Sequence, residues 1–195
     1  MRFIERNPRG AKALTLFLHE DREQPPEDDQ YAMNFSLITQ DRNSVADGRC
    51  SVDSESESET FLHISAIYVE GHTNTPTKQN PNQYAGLGQI LVFAAVKFGF
   101  EHNVRLARLA PLDGSEGFYL KMGLHPEVRG KPNRMTARDS VSQSHNGKLN
   151  PDWVRGFEKS SFLNHDFRGP TWTGSIPDIY RRLRANILSS WLIVE

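Results

Sequence analysis

Residues 61–69 (FLHISAIYV) and residues 86–100 (GLGQILVFAAVKFGF) constrain this fold more than any other part of the chain. The first segment is apolar at odd and even positions alike. Both of its faces must therefore be covered, which predicts a strand inside a sheet. In the second, Leu87, Ile90, Leu91, Ala94, Ala95 and Phe98 recur at helical spacing, which predicts a largely buried helix. Residues 70–82 (EGHTNTPTKQNPN) are polar, hold two prolines and read as a loop between them.

The flanking segments extend that picture. Residues 12–18 (KALTLFL) and 33–39 (MNFSLIT) read as strands, separated by an acidic loop over 20–29 whose Pro25 and Pro26 exclude a helix interior. A short strand crosses 49–52, and the alternating acidic-serine tract 53–59 reads as a solvated turn. Residues 104–109 alternate Val104, Leu106 and Leu109 with Arg105 and Arg108, as a strand does, and 115–122 forms a short helix stopped by Gly123. From 129 to 175 the chain is rich in Gly, Pro, Asn, Ser and Arg. Its Trp153, Phe157, Phe162 and Trp172 argue against a purely disordered tail. Ser175 to Asp178 has the form of a capping box, with Pro177 in the first turn of a final helix. Ile179, Leu183, Ile187 and Trp191 continue at four-residue intervals, so this helix carries one apolar stripe, docked on its own domain or on a second copy in a homodimer.

Composition narrows the function classes. A chain of 195 residues accommodates one ordinary domain with an appendage, and 37% hydrophobic with 24% charged residues suits a soluble globular protein. The single cysteine, Cys50, excludes an internal disulfide framework and a cysteine-rich zinc site; no metal is expected. No run approaches the roughly 20 apolar residues of a membrane span. The amino-terminal apolar run 13–18 ends in His19, Glu20 and Asp21 without a small-residue cleavage pattern, so it reads as a strand and the protein as cytoplasmic. Charge is uneven: residues 1–70 carry seven Lys/Arg against fourteen Asp/Glu, and residues 71–195 carry sixteen against ten. Arg129, Lys131, Arg134, Arg138, Arg181, Arg182 and Arg184 form the basic candidates for nucleic-acid binding, but a net charge of −1 and the acidic first part weigh against that reading.

The chemistry concentrates where the central strand leads into the helix. Gly86 and Gly88 allow the backbone close to a ligand, and the unpaired N–H groups of a helix start suit a pyrophosphate. A dinucleotide fold would continue G-x-x-G beyond Gly88 and a P-loop would end in G-K-[ST]; neither is present. Gln83-x-x-Gly86-x-Gly88 instead matches the Q/R-x-x-G-x-G/A pattern, and Phe118 to Leu124 (FYLKMGL) resembles the F-Y-x-K-x-G-F element, of the GNAT-superfamily N-acetyltransferases. The resemblance covers residues 61–126. It implies an α/β (α+β) fold, with a mixed, mostly antiparallel central sheet flanked by helices. Residues 1–128 would form the GNAT-like acetyl-coenzyme A-binding domain. Residues 129–195 would form a carboxyl-terminal extension, or complete the same domain. The family's two helices between its first strands are replaced here by the acidic loop, a shortened amino-terminal helical region.

Carried over residue by residue, the resemblance implies that Gln83 and the backbone of Tyr84, Ala85, Gly86, Leu87 and Gly88 cradle the pyrophosphate of acetyl-coenzyme A. The main chain of Ile67 and Val69 would pair with the pantetheine amides. Acetyl transfer to an amine needs a base, because an alkyl ammonium has a pKa near 10.4, and a proton for the departing thiolate. Tyr119 is the expected general acid. His63, six residues before Val69 and expected on one strand face with Ser65 and Ile67, is the candidate base. The acidic residues Glu20, Asp21, Glu23, Glu27, Asp28 and Asp29 favour a cationic primary amine on a small molecule or a protein. The alternative is a non-catalytic acyl-coenzyme A-binding sensor or scaffold of the same fold.

Overall fold

In the computed structural model, residues 1–6, 13–23, 31–56, 59–69, 86–111, 115–126, 144–145, 148–149 and 171–195 are described. The strands are β1 (Arg2–Glu5), β2 (Thr15–Glu23), β3 (Ala32–Thr39), β4 (Ser44–Ser56), β5 (Glu59–Val69), β6 (Leu106–Leu109), β7 (His125–Pro126), β8 (Ser144–His145), β9 (Lys148–Leu149), β10 (Trp172–Ser175) and β11 (Trp191–Val194). The helices are α1 (Leu87–Glu101), α2 (Glu116–Met122) and α3 (Ile176–Ser190). Nine strands form one sheet in the order β11-β1-β2-β3-β4-β5-β6-β10-β7, and β8 pairs with β9 apart from it. Every neighbouring pair in the large sheet is antiparallel except β5 and β6. This is the mixed, mostly antiparallel sheet flanked by helices that was expected.

α1 is apolar almost all round, and its burial follows: Leu87, Ile90, Leu91, Val92, Phe93, Ala94, Ala95, Val96 and Phe98 all lie in the core. One side rests on β3, β4 and β5, and another on α3. Gly99 lets this packing close, since a Cβ there would stand 2.9 Å from Ile176 Cδ1 and 3.1 Å from Leu62 Cδ2. The stripe Ile176, Ile179, Leu183 and Ile187 of α3 is buried within its own chain.

Several boundaries differ from the sequence reading, each through pairing between distant segments. β2 runs on through Glu23, where an acidic loop was expected from Glu20, because β3 pairs with it from Thr39 back to Ala32. Glu20 and Arg22 then form an ion pair at 2.7 Å, and Arg22 reaches Glu101 of α1 at 2.9 Å. The short strand expected at 49–52 is thirteen residues long, and the acidic-serine tract belongs mostly to the β4–β5 hairpin rather than to a solvated turn. Ser175 makes no side-chain cap to α3; it ends β10, and the Ile176 N–H donates instead to the Arg105 carbonyl at 2.9 Å. Trp191 is not on the helix but opens β11, which pairs with β1. The carboxyl-terminal segment thus supplies β10 inside one end of the sheet and β11 at the other.

Candidate active site

β5 and β6 run parallel but share only two register pairs, Leu62 with Ala107 and His63 with Arg108. β5 continues six residues further, to Val69, held on its other side by β4. Among the described residues, the recorded pairing of β5 with β6 therefore stops at His63. Beyond it, no strand partner stands on this side of β5 among the described residues. Ile67 and Val69, the expected pantetheine partners, lie along this stretch.

A β-bulge follows the end of this pairing. The register passes from Cys50 opposite Ile64 to Arg49 opposite Ala66, so Ser65 is the extra residue, and its hydroxyl donates to the Arg49 carbonyl at 3.1 Å. The bulge reverses the alternation of side chains. Ile64, Ile67 and Val69 are opposite Cys50, Gly48 and Ala46, on the helix-bearing face, whereas His63 is opposite Ser51 on the other face. The expectation that His63 shares a face with Ile67 is corrected: period-two counting fails across an inserted residue. His63 Nδ1 lies 3.2 Å from Asp53 Oδ2, a partner the sequence did not single out. Beside it, the Arg108 guanidinium lies over the Phe61 ring, 4.3 Å from its centroid.

α1 packs on the helix-bearing face of the sheet, against β3, β4 and β5. Gly86 is its N-cap at φ +81°, a left-handed conformation that glycine adopts without a Cβ penalty. The first turn has no side-chain cap and no acidic residue, so its backbone donors are electrostatically suited to an anion. Leu87 and Gly88 form the first turn itself; Gln83, Tyr84 and Ala85 lie outside the described residues. Gly88 also makes room for a neighbouring ring. A Cβ there would be 2.9 Å from Phe118 Cζ, so the space it leaves is occupied by that ring and joins α2 to α1.

That contact brings the second motif to the first. Phe118 meets the Tyr119 ring edge-on at 5.0 Å, and Tyr119 is packed against the core. Burial raises the Tyr119 phenol above its ordinary pKa, so it is protonated at neutral pH and able to donate. α2 ends at Gly123, φ +97°, and the Leu124 N–H closes the turn on the Tyr119 carbonyl at 3.1 Å.

Trp191 completes the surroundings, and sequence reasoning missed it by assigning it to the helical stripe. Its indole Nε1 is the nearest described atom to the place a Cβ on Gly86 would occupy, at 3.8 Å. Glu20, Asp21 and Glu23 of the acidic group lie on β2; Glu27, Asp28 and Asp29 fall outside the described residues, as do Arg129, Lys131, Arg134 and Arg138. Among the described residues no three His, Cys, Asp or Glu side chains converge as a metal site, and no helix is long and apolar enough to cross a membrane.

No family model matches this chain, and no curated protein matches it. Among solved structures it is similar to an acetyltransferase of the GNAT family from Staphylococcus aureus, at 14% identity over 74% of this chain and 68% of that one, with a TM-score of 0.42. It is also similar to nourseothricin acetyltransferase, at 15% identity over 86% and 74% of the two chains, TM-score 0.42. A chimeric spermidine N-acetyltransferase from Vibrio cholerae is similar at 9% identity over 80% and 71%, TM-score 0.40.

Proposed function

We propose that this chain is an N-acetyltransferase that moves an acetyl group from acetyl-coenzyme A to a primary amine. The observation that carries the reading is the short two-pair ladder between β5 and β6, taken with a start of α1 that has no side-chain cap and no acidic residue. A ligand with two peptide-like amides and a diphosphate has groups for both: the amides for the main chain of Ile67 and Val69, the diphosphate for the turn at Gly86. Gln83, Tyr84 and Ala85 belong to the same proposed loop.

In the proposed reaction the amine nitrogen attacks the thioester carbonyl carbon, the C–S bond breaks, and the coenzyme leaves as a thiolate. A cysteine-like thiol has a pKa near 8.5, so a neutral phenol is a competent donor to that thiolate as charge develops. Tyr119, protonated by its burial, is the proposed general acid. His63, held by Asp53, is the proposed base. Since it stands on the face opposite Ile67, the amine would approach from the Asp53 side. The acidic residues of β2 support a cationic acceptor, although Glu20 is already paired with Arg22.

Calorimetric titration with acetyl-coenzyme A, followed by a thiol-release assay over a panel of amines, tests the reading. Absence of coenzyme A binding removes it. Binding without turnover on any amine favours the non-catalytic acyl-coenzyme A-binding domain. Within an active enzyme, Tyr119→Phe is expected to lower kcat about 10²-fold while leaving the acetyl-coenzyme A KM nearly unchanged. An unaltered kcat would take Tyr119 out of the mechanism.

A further inference from the structure

Trp191 is 3% exposed, and its Nε1–H has no hydrogen-bond partner among the described residues. An indole nitrogen is a donor only, and a buried donor left unpaired costs stability that a phenylalanine in the same place would not. The neighbours of Trp191 hold it firmly. It pairs with Glu5 in the β1–β11 ladder, and its own N–H donates to the Ile187 carbonyl at the end of α3. Its carbonyl accepts from Arg6 Nε at 3.4 Å, while the Arg6 N–H donates to the Ser190 carbonyl at 2.9 Å. The backbone of Trp191 is thus held on both sides, and the one polar atom of its ring lies 3.8 Å from where a Cβ on Gly86, the N-cap of α1, would stand.

Two independent features meet there. One is the start of a fifteen-residue helix with no cap and no acidic side chain in its first turn. The other is the unpartnered indole donor. Both call for an acceptor, and Arg6 adds a positive charge beside the same residue. Glu5, the nearest acidic residue in the ladder, turns its Oε2 to the Leu14 N–H at 3.4 Å.

We infer that Trp191 is a diphosphate-binding residue: its Nε1–H donates to a phosphate oxygen of the coenzyme seated at the Gly86 turn. This rests on the coenzyme A reading above and deepens it, because the carboxyl-terminal strand then supplies part of the cofactor site. A hydrogen bond to a charged acceptor replaces an unpaired donor, so the free protein is less well satisfied than the complex.

The test compares wild type with Trp191→Phe, which keeps an aromatic ring and removes the donor. Titration with coenzyme A is expected to show about ten-fold weaker binding by the variant, a typical loss for one hydrogen bond to a charged group. Pantetheine, which lacks the diphosphate, is expected to bind both proteins alike. The smaller ring leaves a cavity, so the variant without ligand is expected to melt somewhat lower than wild type while remaining folded at the titration temperature. Equal affinity of the two proteins for coenzyme A overturns the inference and leaves the coenzyme reading standing; failure of wild type to bind coenzyme A overturns both. A parallel loss for pantetheine marks Trp191 as structural only and also overturns it. Should the variant not fold, the native protein still decides. With ¹⁵N-labelled indole, the Trp191 Nε1–H resonance is expected to shift downfield and exchange more slowly on adding coenzyme A but not pantetheine, and an unmoved resonance overturns the inference.

Discussion

Cys50 lies fully buried on the helix-bearing face of β4. Burial pushes its thiol up to about 12 from an ordinary 9.0; the Glu20 charge acts in the same direction, and Arg22 opposes it. A folded-state pKa raised in this way protects the protein only while the unfolded thiol is also protonated. Above pH 9 the unfolded chain loses that proton first, so the stability contribution falls by about 1.4 kcal/mol per pH unit until the folded thiol ionises as well. Urea midpoints measured from pH 8 to 11 are expected to fall more steeply for wild type than for Cys50→Ala, and parallel slopes would place the loss elsewhere. Glu101 shows the opposite balance. Burial disfavours its charge, but the hydrogen bond from Lys97 and the charge of Arg22 prevail, and the carboxyl is held below its ordinary range.

At the scale of elements, the bulged β4–β5 pair holds the stretch of β5 that runs on past its pairing with β6. Gly48 sits within it, opposite Ile67, and the Phe35 ring of β3 lies across its open side. A Cβ at Gly48 would stand 2.5 Å from Phe35 Cε2 and 2.9 Å from the Ala66 carbonyl oxygen, which is backbone and cannot swing aside. Gly48→Ala is expected to destabilise the fold by about 1–3 kcal/mol, the usual cost of overpacking, read from urea unfolding. An unchanged midpoint would mean that β3 and β5 yield more easily than this geometry allows. The strands flanking Gly48 were legible in part. β3 and β5 were evident from their apolar patterns, whereas the length of β4 was not, because Asp53 and Ser54 carry no strand signal and are strand residues only through their partners Phe61 and Thr60. The bulge at Ser65 had no sequence signal at all.

Across the whole molecule, the two ends of the chain are paired: β1 and β11 close one side of the sheet, and α3 carries the chain there across α1. Truncation after Ser190 removes the Trp191 ring from the core and uncovers the β1 edge. A loss of about 3–5 kcal/mol, as for other buried aromatic deletions, is expected in chemical denaturation, with self-association through the bare edge visible by size-exclusion chromatography. A truncated protein as stable and monomeric as the full chain would show that β11 is dispensable to the fold. What the amino-acid order determined unaided is local: the helical period of α1 and α3, the apolar run of β5, the glycine turn at Gly86 and the stop at Gly123. These depend on side-chain spacing and backbone freedom over a few residues. Tertiary structure alone decided which face His63 occupies, that Asp53 stands beside it, that Phe118 fills the space at Gly88, and that Trp191 leaves the helix for the sheet. Each of these follows from pairing or packing between residues far apart in the chain, and a local pattern holds no record of such partners.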